Sequence, residues 1–198
     1  ITQNILTIIS DTKQLEFINN NPYILLYTNK LGKNSLNILL EHGQFNAIID
    51  FININPSILD YKNINEVNLF QSLLFYDYFY DFIINVITSY NTNFVIKLIN
   101  NTFIDVCINI IKDNDITPEL NKLITILKCI VELDCENKLL ILNKLFMYIN
   151  NEKLLLHIIN IFDLHNIDTY PDKNNMICID YLLLKHYFDV LYILLDKF

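Results

Sequence analysis

The chain has 198 residues, of which 53% are hydrophobic and 18% charged, with a formal net charge of −8. That is enough apolar material for one well-buried core or a stack of about six small units, and it excludes a disordered chain. The acidic balance repels phosphate backbones, and with no Arg in the sequence there are no bidentate guanidinium clamps, which argues against nucleic-acid readout and phosphoryl transfer.

The sequence has 29 Asn, one Ala, two Gly and no Trp, the bias of an AT-rich coding sequence. Its four cysteines, Cys107, Cys129, Cys135 and Cys178, are sparse and unaccompanied by a signal peptide, which points to a reducing, intracellular setting. No run reaches about 18 uninterrupted apolar residues, so no transmembrane helix is expected. Because the chain opens on Ile1 rather than Met, it is expected to be a processed or trimmed piece of a longer protein.

In chain order, the first signal is an internal echo. Leu15 to Lys30 (LEFINNNPYILLYTNK) matches Ile49 to Ile64 (IDFININPSILDYKNI) at an offset of 34, with nine of sixteen positions identical. That offset is the period of a solenoid unit. Asn34 to Glu41 reads as a short helix broken by His42-Gly43, and Phe45 to Ile54 as a second, with Phe45, Ile48, Ile49 and Ile52 at helical spacing and Asn55-Pro56 as its stop. An offset of 33 carries Leu36 to Leu69 and predicts helices over Val67 to Phe75 and Phe79 to Ile87.

Between Thr92 and Leu164 the repeat signal weakens, but amphipathic segments remain at about 94 to 100, 103 to 112, 118 to 133, 137 to 149 and 153 to 163. Thr117-Pro118 is a helix-start signal. After a loop at Asp172 to Asn175, helices are predicted over Ile177 to Lys185 and Phe188 to Lys197. No stretch alternates with period two, so the fold class is all-α.

The unit Gly32-Lys33-Asn34-Ser35-Leu36-Asn37-Ile38-Leu39, followed by His42-Gly43, resembles the ankyrin repeat, with its Thr-Pro-Leu-His-x-Ala box and inter-helix Gly. Asn34 stands for the family's Thr and keeps the ability to cap a helix, Leu36 for its Leu, Asn37 for its His, Leu39 for its Ala and Gly43 for its Gly. Asn175 to Leu195 is similar, with His186 at the Gly position. The Leu in place of Ala implies a less regular stack. The resemblance implies an ankyrin-like solenoid of about six helix-turn-helix units spanning 1–198 as a single domain, the middle ones degenerate. Helical pairs of HEAT or armadillo type are the alternative, but their period of about 40 to 47 fits worse. With this composition the array resembles the divergent ankyrin-repeat families of giant DNA viruses, which implies a host-cytoplasm or virion location.

Candidate chemistry is sparse. Cys129 and Cys135 lack nearby histidines for a zinc site, Cys107 and Cys178 fall on apolar helical segments where burial makes a thiol inert, and Gly32 and Gly43 form no phosphate loop. Asp113-Asn114-Asp115 lacks the glycine and glutamate of a calcium loop. No catalytic residue, metal or cofactor is expected. In the aromatic run Leu73 to Phe82 (LLFYDYFYDF), Phe75, Phe79 and Phe82 are expected in the core, while Tyr76, Tyr78 or Tyr80 stands outside as a binding patch.

The resemblance implies a protein-protein interaction module that binds through loop tips and first helices. Its partner-binding candidates are Lys30, Leu31, Lys33, Asn37, Glu41, Asn63, Asn65, Glu66, Gln71, Lys173, Asn174 and Asn175, with a protein partner and neither nucleic acid nor membrane. The alternative is a virion or filament component that self-associates through its end repeats, because Leu194-Leu195-Asp196-Lys197-Phe198 has no clearly polar cap.

Overall fold

The computed structural model describes residues 20–21, 33–63, 65, 67–112, 114–133, 135–162 and 176–196. The described residues are all-helical apart from one isolated bridge. Contacts divide the chain into two compact units, one ending at Phe75 and one beginning at Tyr76.

In the first unit, α1 (Ser35–Glu41) and α2 (Phe45–Ile54) form a helical hairpin, followed by a 3₁₀ turn (Pro56–Asp60) and α3 (Leu69–Leu73), which packs on α1. A seven-residue helix is too short to stand alone in water, so its ends and its apolar face both need partners. Asn34 and Asn37 supply the first: the Asn34 side chain accepts the Asn37 N–H at 2.9 Å, and the Asn37 side chain accepts the Asn34 N–H at 3.4 Å. This is a capping box built from two asparagines. The other end closes as a Schellman motif, with Gly43 at φ +66°, Gly43 N–H donating to Leu40 O at 3.0 Å and Gln44 N–H to Leu39 O at 2.9 Å. Leu36, Leu39 and Leu40 of α1 and Ile48, Phe51 and Ile52 of α2 are buried.

The second unit holds α4 (Tyr80–Ser89), α5 (Thr92–Leu98), α6 (Asn101–Lys112), α7 (Pro118–Leu133), α8 (Cys135–Tyr148), α9 (Glu152–Phe162), α10 (Cys178–Lys185) and α11 (Phe188–Asp196). Its helices form two ladders: α6, α8 and α10 pack in succession, as do α4, α7, α9 and α11. Across the ladders α6 packs on α7, α7 on α8 and α10 on α11. Ile124, fully buried on α7, sits on the helix that touches α4, α6, α8 and α9.

Some packed helix pairs start 34 residues apart and others do not: Tyr80 and Pro118 are 38 apart, Cys135 and Cys178 43, and Glu152 and Phe188 36. Helix starts at Ser35 and Leu69, at Asn101 and Cys135, and at Pro118 and Glu152 are each 34 residues apart, and each of these pairs is in contact. The expected offset of 33 is therefore corrected by one residue: Asn68 caps α3 as Asn34 caps α1, so Leu36 corresponds to Phe70 rather than Leu69. Thr117 caps α7 as expected, its hydroxyl accepting the Leu120 N–H at 3.1 Å. Asn91, Asn100 and Asn151 cap α5, α6 and α9 through their side chains in the same manner.

His186 takes φ +58° after α10, the left-handed conformation that Gly43 takes after α1, with Tyr187 N–H on Leu182 O at 2.9 Å and His186 N–H on Leu183 O at 3.2 Å. His186 therefore shares the backbone conformation of Gly43. A side chain in that conformation is strained, whereas Gly is not. His186→Gly is expected to stabilise the second unit by about 0.5–1 kcal/mol, read as a rise in the urea midpoint with unchanged slope. Ile124→Ala is expected to destabilise it by about 2–5 kcal/mol, read in the same urea titration.

Candidate functional site

The connector between the 3₁₀ turn and α3 is a short finger. Lys62 and Asn68 form an antiparallel bridge, Asn63 N–H donates to Val67 O at 2.9 Å, and Leu69 N–H donates to Tyr61 O at 3.0 Å. Inside it, the Asn63 side-chain oxygen accepts the Asn65 N–H at 2.8 Å and the Val67 N–H at 3.1 Å. Asn is suited to this because its carbonyl mimics a backbone acceptor two residues on. The finger is thus held from within, and Asn65 stands exposed.

The expected binding residues divide accordingly. Lys33 and Glu41 are half-exposed and ion-paired to each other at 2.6 Å, a surface contact worth well under about 1 kcal/mol and open to exchange with a partner. Asn65 is exposed as expected, while Asn63 forms the turn beneath it. Asn37 is corrected from a binding position to a structural one, since its side chain belongs to the capping box of α1. Gln71 is also corrected: it is 3% exposed, because the one-residue shift in register places it at the Asn37 position, three residues after the Asn68 cap, where its N–H meets the Asn68 side chain at 2.8 Å. Lys30, Leu31, Glu66, Lys173, Asn174 and Asn175 lie outside the described residues.

The aromatic run splits differently from the expectation. Phe79 is fully buried and Tyr78 exposed, as expected. Phe75 is exposed rather than core, Phe82 is only partly buried, and of the three tyrosines offered for the outside Tyr80 is buried. Tyr80 begins α4, the helix packed on α7, and burial raises its phenol pKa above the usual value.

A second surface was anticipated only in outline. On α10 and α11, Leu183, Leu184, Phe188, Tyr192 and Leu195 are all about half exposed or more, with Leu184 at 68% and Tyr192 at 79%. Phe188, Tyr192 and Leu195 follow i, i+4, i+7 spacing and so form one stripe. Lys185, between the two helices, turns back instead: its ammonium donates to Met147 O at 2.9 Å and Ile149 O at 2.8 Å, which satisfies carbonyls at the end of α8. Partial burial lowers its pKa.

Polar ties join each neighbouring pair of helices in the second unit's ladders. Asp81 on α4 meets Lys122 on α7 at 2.5 Å, Asp105 on α6 pairs with Lys144 on α8, His157 Nε2 on α9 lies 2.6 Å from Asn121 Oδ1 on α7, and Cys178 on α10 donates to Asn143 on α8 at 3.4 Å. The Asp189 N–H on α11 donates to Glu152 of α9 at 3.0 Å. Asn121-Lys122 and Asn143-Lys144 both lie in a Leu-Asn-Lys-Leu sequence, where Lys ties to the preceding helix and Asn to the following one. Sequence reasoning missed this motif, although the repeated tetrapeptide was there to be found.

Cys107 and Cys178 are buried, as expected. Burial in apolar surroundings pushes the Cys107 thiol far above the ordinary range, and Cys129, half-buried, is raised for the same reason. A raised thiol pKa opposes the thiolate needed for nucleophilic attack or metal binding. Among the described residues no group of three His, Cys, Asp or Glu side chains is placed to hold a metal ion. No single described helix is long and apolar enough to cross a membrane; α5 and α6 together pass by length and composition but bend by 68° at their junction.

No family model, curated protein or solved structure matches the chain. The internal geometry of the finger is directly testable. Asn63→Ala removes the acceptor of two N–H groups, so the Asn65 and Val67 amides are expected to exchange with deuterium at least about tenfold faster, corresponding to the loss of roughly 1.4 kcal/mol or more of local protection, while amides of α7 keep their rates.

Proposed function

We propose that the chain is a protein-binding module of divergent ankyrin type, with 1–198 as one repeat domain, that presents preformed connectors to a protein partner. The observation that carries this is the finger at 61–69, whose backbone is bridged at its base and whose tip is set by one asparagine side chain. A bridged connector between helix pairs is like the ankyrin arrangement, and the packed helix pairs that start 34 residues apart support it over longer-period helical pairs, although Cys135 and Cys178 start 43 apart. The Asn34 cap and the matched left-handed residues Gly43 and His186 support it further.

The mechanism is preorganisation. A connector fixed in the free protein gives up little conformational entropy on binding, so a modest contact area yields useful affinity. Exposed Asn65 offers a donor and an acceptor at the tip, and the Lys33–Glu41 pair, which flanks α1 at its two ends, offers both signs of charge. No catalysis is assigned: burial raises the thiol pKa of Cys107 and Cys129, against the requirements of a nucleophile.

The test is affinity capture from the native source with the wild-type chain and a Lys33→Ala/Asn65→Ala variant of unchanged melting temperature. Proteins retained by the wild type are expected to fall by about tenfold or more with the variant, the loss of two polar contacts worth roughly 0.7 kcal/mol each. Retention of the same proteins at the same level by both would overturn the proposal.

A further inference from the structure

The second unit holds a small cavity lined by the start of α4, the end of α6 and the start of α7. Its volume is about 110 Å³, and it opens to solvent. Ile110, Leu120 and Leu123 give it an apolar wall, and its polar groups come from Tyr80, Asn114, Thr117 and Glu119. The Thr117 hydroxyl is committed to the Leu120 N–H, and Asn114 Nδ2 donates to Ile110 O at 2.5 Å. Tyr80 is different. It is 6% exposed and its hydroxyl has no hydrogen-bond partner among the described residues, yet none of their side-chain polar atoms is both fully buried and unpaired. The Tyr80 oxygen therefore keeps its access through the cavity that the residue lines.

Charge and size select the occupant. Glu119 is the only charged side chain lining the cavity among the described residues, and Lys122, one turn further along α7, is held by Asp81 at 2.5 Å. The start of α7 contributes about half a positive charge, which the full negative charge of Glu119 in its first turn exceeds. Burial, followed by Cys107, Asp77 and Glu119, raises the Tyr80 pKa, so the phenol stays protonated and its oxygen can accept an N–H. An apolar cavity of about 150 Å³ holds the six carbons of benzene, so one of about 110 Å³ admits a chain of about four carbons.

We infer that the cavity is a binding site for a primary ammonium on a short alkyl chain. The chain lies against Ile110, Leu120 and Leu123, and the ammonium sits between the Glu119 carboxylate and the Tyr80 oxygen, donating a charge-assisted hydrogen bond to the carboxylate. A free alkylamine and a lysine side chain share this chemistry. With one exposed carboxylate and about five non-hydrogen ligand atoms, the expected dissociation constant is about 1 mM. The site draws on no residue of the finger, so either proposal can fail while the other stands.

Titration of the isotope-labelled 198-residue chain with n-butylammonium chloride to about 20 mM, followed by amide chemical shifts, tests it. Saturable shifts are expected at residues 80–83 and 119–123, with n-butanol binding about tenfold more weakly and butyrate producing none. Glu119→Gln is expected to weaken n-butylammonium about tenfold, and Tyr80→Phe, which keeps the ring, about threefold. Nα-acetyl-lysine methylamide separates the two sources: it binds as n-butylammonium does if a lysine side chain is the occupant, and more weakly if a free amine is. Absence of saturable shifts at those residues with n-butylammonium overturns the inference. So does binding of n-butanol or butyrate as tight as that of n-butylammonium, or undiminished binding by Glu119→Gln.

Discussion

Everything in this fold depends on helices that cannot bury themselves. Most are seven to sixteen residues long, near or below the length at which an isolated helix is marginal in water, so each is stable only against a neighbour. The hairpin supplies one neighbour and the next hairpin the other. This explains why burial in the second unit alternates in two ladders rather than gathering around a single centre, and why α7, with partners on four sides, carries six fully or nearly buried aliphatic side chains. It also explains why short α1 and α3 rely so heavily on their caps: with only two turns or fewer, the unsatisfied N–H groups at the start make up much of the helix.

Apolar stacking is weakly directional, and the polar ties supply the register that it lacks. Individually they are small, since exposed ion pairs such as Asp81–Lys122 contribute about 1 kcal/mol at most. Their effect lies in the cost of misplacement. If α8 slipped by one residue on α6, Lys144, only 18% exposed, would be drawn away from Asp105 without full access to water. The Asn-Lys pairs of α7 and α8 fix each helix from both sides at adjacent positions, so one element transmits register to the next.

The helix limits were legible because they rest on local chemistry. The end of Phe45–Ile54 and the start of Pro118–Leu133 could be read from Asn55-Pro56 and Thr117-Pro118, since proline and a capping side chain act on their own backbone neighbours. The candidate site was legible only in part, because surface exposure is a tertiary property. Gln71 is polar, lies on a short helix and falls near an aligned surface position, yet a one-residue error in repeat phase hid its burial. Asn37 was ambiguous for a different reason: an asparagine that caps a helix and one that binds a partner look alike in a sequence with 29 of them. The composition bias that suggested a source turned out to coincide with structure, because Asn34, Asn68, Asn91, Asn100 and Asn151 all cap helices. The Leu-Asn-Lys-Leu motif escaped because its copies begin at Leu120 and Leu142, 22 residues apart, one on α7 and one on α8. A comparison at the repeat period never aligns them.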